Sequence, residues 1–358
     1  MRTQLLKSVS RIVVKLGTGV LTDVRKQLDL AQMEQLVAQI VIQKRAGKEV
    51  VVVTSGAVGA GMGVLGYDRR PTDLAEQQAC AAVGQSRLMA VYEKLFGQFQ
   101  LTVAQVLLTH EDLGHHGRHL NARNTLVTLL ERGVVPIINE NDAISFTELK
   151  FGDNDRLSAL VACLLPADLL VVLTTVDGLV DKFGTPQAKL ISSVERIDAS
   201  LEKLAGGTAS KTAVGGMSSK LQAAKIAMRS GIPLVIASGQ RRNVLERILN
   251  AEDEGTVFIP QGNKLKGRKR WIAFFHHPKG SLFVDEGAKR ALRDSGKSLL
   301  LPGVVRCEGE FPAGEIVRIC DLDGTEFARG LAEFDSQTIQ NRRLPRPEVV
   351  HRDNLVIL

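Results

Sequence analysis

Cysteine is scarce in this chain, with Cys80, Cys163, Cys307 and Cys320 the only four among 358 residues. None forms a C-x-x-C pair and three sit in apolar stretches. That excludes a disulfide framework and leaves buried free thiols in a reducing compartment. Long apolar runs are also missing. The longest, from Leu157 to Leu173, is broken by Pro166 and Asp168 and does not read as a membrane span. The N-terminal stretch lacks the apolar core of a secretory signal, because Lys15 interrupts the run begun by Ile12-Val13-Val14. A cytoplasmic location with no membrane partner is therefore expected. The Walker A pattern G-x-x-x-x-G-K-[ST] is absent, so any phosphate site is not a P-loop. His110, His115, His116 and His119 match no zinc-ligand spacing, and their surroundings read as a solvated loop. The charge excess is only +7, which fits an anionic ligand, a nucleic acid or neither. No internal repeat or low-complexity tract occurs.

What is present is an ordinary globular composition, 44% hydrophobic and 24% charged. At roughly 150 residues per domain the length predicts about two domains. Residues 1–260 alternate short Val/Ile/Leu-rich runs with segments of helical period. The runs at 11–16, 49–54, 101–108, 134–139, 168–174 and 232–237 read as strands, several of them continuously apolar as parallel strands covered on both faces are. In the first helical segment Leu30, Met33, Val37, Ile40 and Val41 share a face. This predicts an α/β fold, an αβα sandwich around a mostly parallel, doubly wound sheet. Residues 261–275 read as a basic linker leading into a core strand. Residues 276–358 read as a small, mostly β domain, with a hairpin at Asp323-Gly324 and a helix over 285–295.

The residues that carry chemistry sit where strands of the α/β half end. Lys15-Leu16-Gly17-Thr18-Gly19 follows the first strand, offering backbone N–H groups and a lysine. Small residues from Thr54 to Gly61 follow the second, marking either a ligand against the backbone or a tight crossing of helix over sheet. Gly61-x-Gly63-x-x-Gly66 matches the dinucleotide fingerprint in the wrong context, too far from its strand and with no following acid. Residues 214–220 run into a helix whose start suits an anion, with Lys220 in the first turns. The most informative cluster is Asn139-Glu140-Asn141-Asp142 followed by Asp153-Asn154-Asp155, with Glu148 between. Acids and amides beyond a buried strand hold a cation, an ammonium group or a metal-bound phosphate. Two lysine-bearing glycine loops and this cluster, gathered along one sheet edge, suit phosphoryl transfer to an anionic acceptor. The lysines and Mg²⁺ would offset the repulsion between the two anions.

Taken in order, 13–18, 53–57, 82–88, 120–123, 138–142, 152–155 and 215–220 closely resemble the glutamate 5-kinase branch of the amino-acid kinase family. The C-terminal part, through 268–271 and 284–288, resembles the PUA domain that bacterial members carry. The resemblance implies ATP-dependent phosphorylation of the γ-carboxylate of L-glutamate, the first step of proline synthesis. It implies catalytic roles for Lys15, Lys220, Asp153 and Asp155, and glutamate contacts from Ser55, Asp142 and Asn154. Lys15, Gly17, Thr174, Thr175, Gly215, Gly216, Met217, Ser218, Ser219 and Lys220 would line the nucleotide site. Mg²⁺ would arrive with ATP, with no protein side chain assigned to it. Thr175 and Val214 depart from the Asp and Thr common in members. A homo-oligomer, feedback inhibition by proline and RNA binding by the PUA-like domain are further family expectations. Acetylglutamate, aspartate, carbamate and nucleotides are the alternative acceptors of related folds. An RNA-binding protein acting through the basic stretch near Trp271 is the reading from a different class.

Overall fold

The computed structural model describes residues 2–6, 8–23, 27–145, 154–206, 216–260, 267–275, 278–342 and 347–358. Asp153, Gly215, Val214 and Glu148 lie outside the described residues. Two compact units, Met1–Lys264 and Leu265–Leu358, make up the chain.

In the first unit, strands β1 (Arg11–Leu16), β2 (Glu49–Val53), β3 (Val103–Leu108), β4 (Val135–Glu140), β5 (Leu169–Thr174), β6 (Ser193–Val194), β7 (Leu234–Ser238) and β8 (Thr256–Phe258) form one eight-stranded sheet. Its order is β3-β4-β2-β1-β5-β7-β8-β6; the first six strands in that order are parallel, and β8 and β6 at the far edge run antiparallel to them. The chain leaves β1 toward β2 on one side and returns later to add β5 on the other. The carboxyl ends of β1 and β5 therefore flank a topological switch point, where open α/β sheets bind their ligands. Ile12, Val14 and Leu16 bury one face of β1 against Met33, Val37 and Ile40 of helix α1 (Leu30–Arg45). The period of 2 places Val13 and Lys15 on the opposite face. Leu30 departs from its expected burial and is 57% exposed, because it is the first helical residue after the capping Asp29.

Helices α2 (Ala57–Leu65) and α3 (Leu74–Gly97) explain the misplaced glycine fingerprint. A Cβ on Gly61 would lie 1.8 Å from the carbonyl oxygen of Cys80, and one on Gly84 1.7 Å from that of Ala57. These glycines let two helices meet at backbone distance, a crossing of helix on helix rather than of helix over sheet. The histidine stretch is also not a loop. It forms α4 (His110–Gly114), closed by a Thr109/Asp112 capping box, and α5 (His116–Glu131), whose first turn is capped by the His115 ring accepting from the N–H of Arg118. Next, α6 (Asn154–Leu164) is buried almost all round, and α7 (Met217–Arg229) packs beside it.

The second unit begins with α8 (Gly267–Phe274), where a linker and then a strand were expected. Residues 261–266 of that stretch lie outside the described residues. Trp271, Ile272 and Phe275 are buried, and Arg329 donates to the carbonyl of Ala273 at 2.9 Å. The apolar spacing behind the basic run makes a helix face, which the charges mask in the sequence. Strands β9 (Gly280–Val284), β10 (Val304–Glu308), β11 (Ile316–Cys320), β12 (Glu326–Leu331) and β13 (Leu355–Ile357) form a sheet in the order β10-β9-β11-β12-β13. Between β9 and β10 lies α9 (Glu286–Ser295), capped by Asp285. The predicted hairpin joins β11 to β12, and its turn uses Gly324 at φ +87°.

Candidate active site

Lys15 is 2% exposed near the carboxyl end of β1, a strand otherwise apolar after its opening Arg11. Its ammonium meets Oδ1 of Asp155 at 2.6 Å, while Lys220 reaches Oδ2 of the same carboxylate at 3.0 Å. Asp155 is fully buried in the first turn of α6, where a carboxylate is favoured by the helix dipole. Ser219, beside Lys220 on α7, donates its hydroxyl to Oδ2 at 2.8 Å. This one carboxylate holds two ammonium groups close together in a buried place. Lys220 adds its charge near the N-terminal end of α7, where a cation is itself unfavourable. Both features fit an anion arriving from outside. Gly17 leaves the necessary room, since a Cβ there would sit 3.6 Å from the Lys15 ammonium and 3.2 Å from the carbonyl oxygen of Leu173.

One residue earlier on α6, Asn154 ties together a second set of groups. Its Nδ2 donates to the carbonyl of Thr54, to Ser55 Oγ at 3.2 Å and to Asn139 Oδ1 at 2.7 Å. Thr54 and Ser55 follow β2, and Asn139 lies near the end of β4. Behind Thr54 stands Tyr92 of α3, its hydroxyl 2.7 Å from Thr54 Oγ1 and its phenol pKa pushed up by complete burial. Behind Asn139 stands Gln85 of the same helix, accepting from Asn139 Nδ2 at 2.8 Å. Thus β1, β2, β4, α6 and α7 bring their polar groups to one edge of the sheet.

Of the residues singled out in the sequence, Lys15, Asp155, Ser219 and Lys220 come together, with Gly17 beside Lys15. Ser55 and Asn154 form the adjoining group. Asp142 lies half-buried in the turn after β4, three positions beyond Asn139. Thr174 ends β5, and Thr175 is exposed with its methyl 2.9 Å from the place a Cβ on Gly19 would take. Gly216 caps α7, Met217 opens it, and Ser218 is exposed in its first turn. In the sequence Asn139 stands out as part of the acid–amide cluster without a role of its own, and Gln85 and Tyr92 carry no site assignment. For Asn139 a signal existed, a polar side chain inside a fully buried strand. None of the described residues forms a cluster of three or more His, Cys, Asp or Glu able to hold a metal.

Comparison with known proteins now decides the family. The profile of the Amino acid kinase family matches residues 10–238. The chain belongs to the amino acid kinase family. A PUA domain profile matches residues 280–344 in the second unit. The Glutamate 5-kinase of Geobacter sp. (strain M21) is 46% identical over 373 residues, with 100% of both chains covered. That of Caldanaerobacter subterraneus subsp. tengcongensis is 47% identical over 363 residues, covering 97% of this chain and 98% of its own. That of Moorella thermoacetica is 46% identical over 368 residues, with coverages of 99% and 97%. Among solved structures, carbamate kinase from Giardia lamblia bound to AMP-PNP is similar, with a TM-score of 0.53 and 18% identity over 71% of this chain and 100% of its own. At that identity the likeness concerns the fold alone. No helix among the described residues is long and apolar enough to cross a membrane.

Proposed function

We propose that the protein transfers the γ-phosphoryl group of MgATP to the γ-carboxylate of L-glutamate, giving γ-glutamyl phosphate and ADP. The observation that carries this reading is the pair of buried lysines bridged by Asp155 at the switch point of the sheet. The full-length likeness to proteins named Glutamate 5-kinase supports the choice of acceptor.

In this reaction a γ-carboxylate oxygen of glutamate forms a bond to the γ-phosphorus. The bond from that phosphorus to the β,γ-bridging oxygen breaks, and its electron pair leaves with ADP. No proton needs to move. The difficulty is bringing two anions together and stabilising charge on the transferring group, which calls for positioned cations. The ammonium groups of Lys15 and Lys220, both held by Asp155, are assigned to the phosphate oxygens. Asp155 aims both ammonium groups. Mg²⁺ enters as part of the nucleotide. Ser55, Asn154 and Asp142 are assigned to glutamate, and Thr174, Thr175 and 215–220 to the nucleotide. The separate part of Asp153 rests on the family resemblance. That resemblance also supports a cytoplasmic homo-oligomer inhibited by proline, with RNA binding by the PUA domain not required for activity.

Incubation with glutamate, MgATP and hydroxylamine tests the reaction, because an acyl phosphate is trapped as the hydroxamate. Glutamate-dependent hydroxamate is expected. No hydroxamate with glutamate, alongside turnover of aspartate, acetylglutamate or carbamate, would replace the acceptor.

A further inference from the structure

The orientation of each amide in the Asn154 group is set by main-chain groups that can play only one part. The carbonyl of Thr54 only accepts, so the end of Asn154 that faces it is the donating Nδ2. The N–H of Glu140 only donates, and it meets Asn139 at Oδ1, 2.9 Å away. Asn139 must then turn its Nδ2 toward Gln85, which receives it on Oε1 at 2.8 Å. Gln85 in turn donates from Nε2 to Gln105 Oε1 on the edge strand β3, at 3.1 Å. The chain Gln105–Gln85–Asn139–Asn154 has one consistent direction, and every donor in it points toward an acceptor. Its inner end commits Asn154 Nδ2 to three acceptors, while Oδ1 of Asn154 takes no hydrogen bond among the described residues.

We infer that Gln85 is a positioning residue for the acceptor substrate, holding Asn139 and through it Asn154 so that Asn154 presents its carbonyl oxygen to the substrate's ammonium group. Ser55 is set by the same bond. Its Oγ accepts from Asn154, so its hydroxyl proton is available to a substrate carboxylate. The site thus has a polarity, with an acceptor for the cationic end of an amino acid beside a donor for an anionic one. The inference deepens the proposed function and rests on the reading of Asn154 as a substrate contact. Gln85 is two helical turns from Tyr92 on α3, so one helix backs the group at both Asn139 and Thr54.

The test is steady-state kinetics of the full-length protein, with thermal stability measured alongside. Gln85→Met removes the acceptor for Asn139. It is expected to raise KM for glutamate about three- to tenfold, the scale of one positioning hydrogen bond, with KM for ATP within about twofold of wild type. Gln85→Glu keeps the accepting oxygen and should restore most of that loss. Gln85→Asn keeps a polar amide on the helix but is one methylene too short, and should behave like Gln85→Met if the latter does not fold. In an Asn154→Ala background, Gln85→Met should add almost nothing to KM for glutamate. An unchanged glutamate KM in Gln85→Met and Gln85→Asn overturns the inference. So does an equal rise for ATP, failure of Gln85→Glu to rescue, or an additive effect on Asn154→Ala. If Asn154→Ala itself leaves glutamate KM unchanged, the assignment of Asn154 fails instead, whatever Gln85 does.

Discussion

Asp155→Asn removes one negative charge and leaves the shape of the site almost intact. Both lysines it neutralises are buried, at 3% and 7% side-chain exposure, with contacts of 2.6 and 3.0 Å. At an effective dielectric constant of 20, each attraction is worth about 6 kcal/mol, before the desolvation and lysine–lysine repulsion that oppose it. Removing one partner of a buried pair costs about 3–5 kcal/mol, because an uncompensated charge remains. For a unit of this size that lowers the melting temperature by on the order of 6–20 °C. Denaturation followed by far-UV circular dichroism reads the loss. Trp271, the single tryptophan of the chain, lies in the second unit and gives a separate fluorescence signal that should not move. The discriminating step is Asp155→Asn combined with Lys220→Met. If the cost comes from stranded ammonium groups, removing one of them restores stability, and the double variant is more stable than the single by about 1 kcal/mol or more. A double variant no more stable than Asp155→Asn alone would refute the electrostatic account. MgATP should also protect Asp155→Asn more than wild type, since its phosphates supply the missing negative charge.

Lys220→Ala should lower kcat by at least about a hundredfold with a smaller effect on KM, as loss of a transition-state contact does; a rise in KM alone would make Lys220 a simple binding residue. Gly84→Ala places a methyl 1.7 Å from the Ala57 carbonyl oxygen and 2.4 Å from the Gly61 nitrogen, both backbone atoms. It should destabilise the protein by about 1–3 kcal/mol or more, whereas Gly97→Ala on the same helix meets nothing within 4 Å and should not, as denaturation midpoints will tell. In the second unit, the bond from Lys289 holds the Asp321 carboxyl below its ordinary pKa, and the backbone N–H of Thr338 does the same for Asp335. Their stabilisation is complete above the unfolded pKa near 3.8 and is lost as pH falls through the lower folded values, so Asp321→Asn and Asp335→Asn should flatten the acid limb of Trp271 fluorescence.

The main strands were legible because parallel strands covered on both faces are continuously apolar. Lys15 stood out as a charge where none is affordable without a partner. The partner itself was visible only as one of several acids in a cluster. Nothing in the spacing separates Asp155, 0% exposed between two lysines, from Asp142 in its half-buried turn. Gln85 and Tyr92 were hidden for another reason. They lie on a helix whose face meets the ends of β2 and β4, a contact made by the fold and not by local pattern. The helix at His116 was missed because a histidine ring does the capping at His115, outside the usual capping set, and the one at His110 because it is only five residues long despite its Thr109 cap. The Gly267–Phe274 helix was missed because its basic residues outweighed the buried Trp271 and Ile272 beside them.

Asn154 and Asp155 are consecutive on one helix, and consecutive helical residues project about 100° apart. A single turn therefore addresses two neighbouring territories, Ser55 and Asn139 in one direction and Lys15 and Lys220 in the other. The spacing between them is a property of the backbone and does not depend on any loop. Changes at Ser55 or Asn139 can retune what is held on one side without disturbing the charges on the other. An insertion at the start of α6 would instead put both out of alignment together.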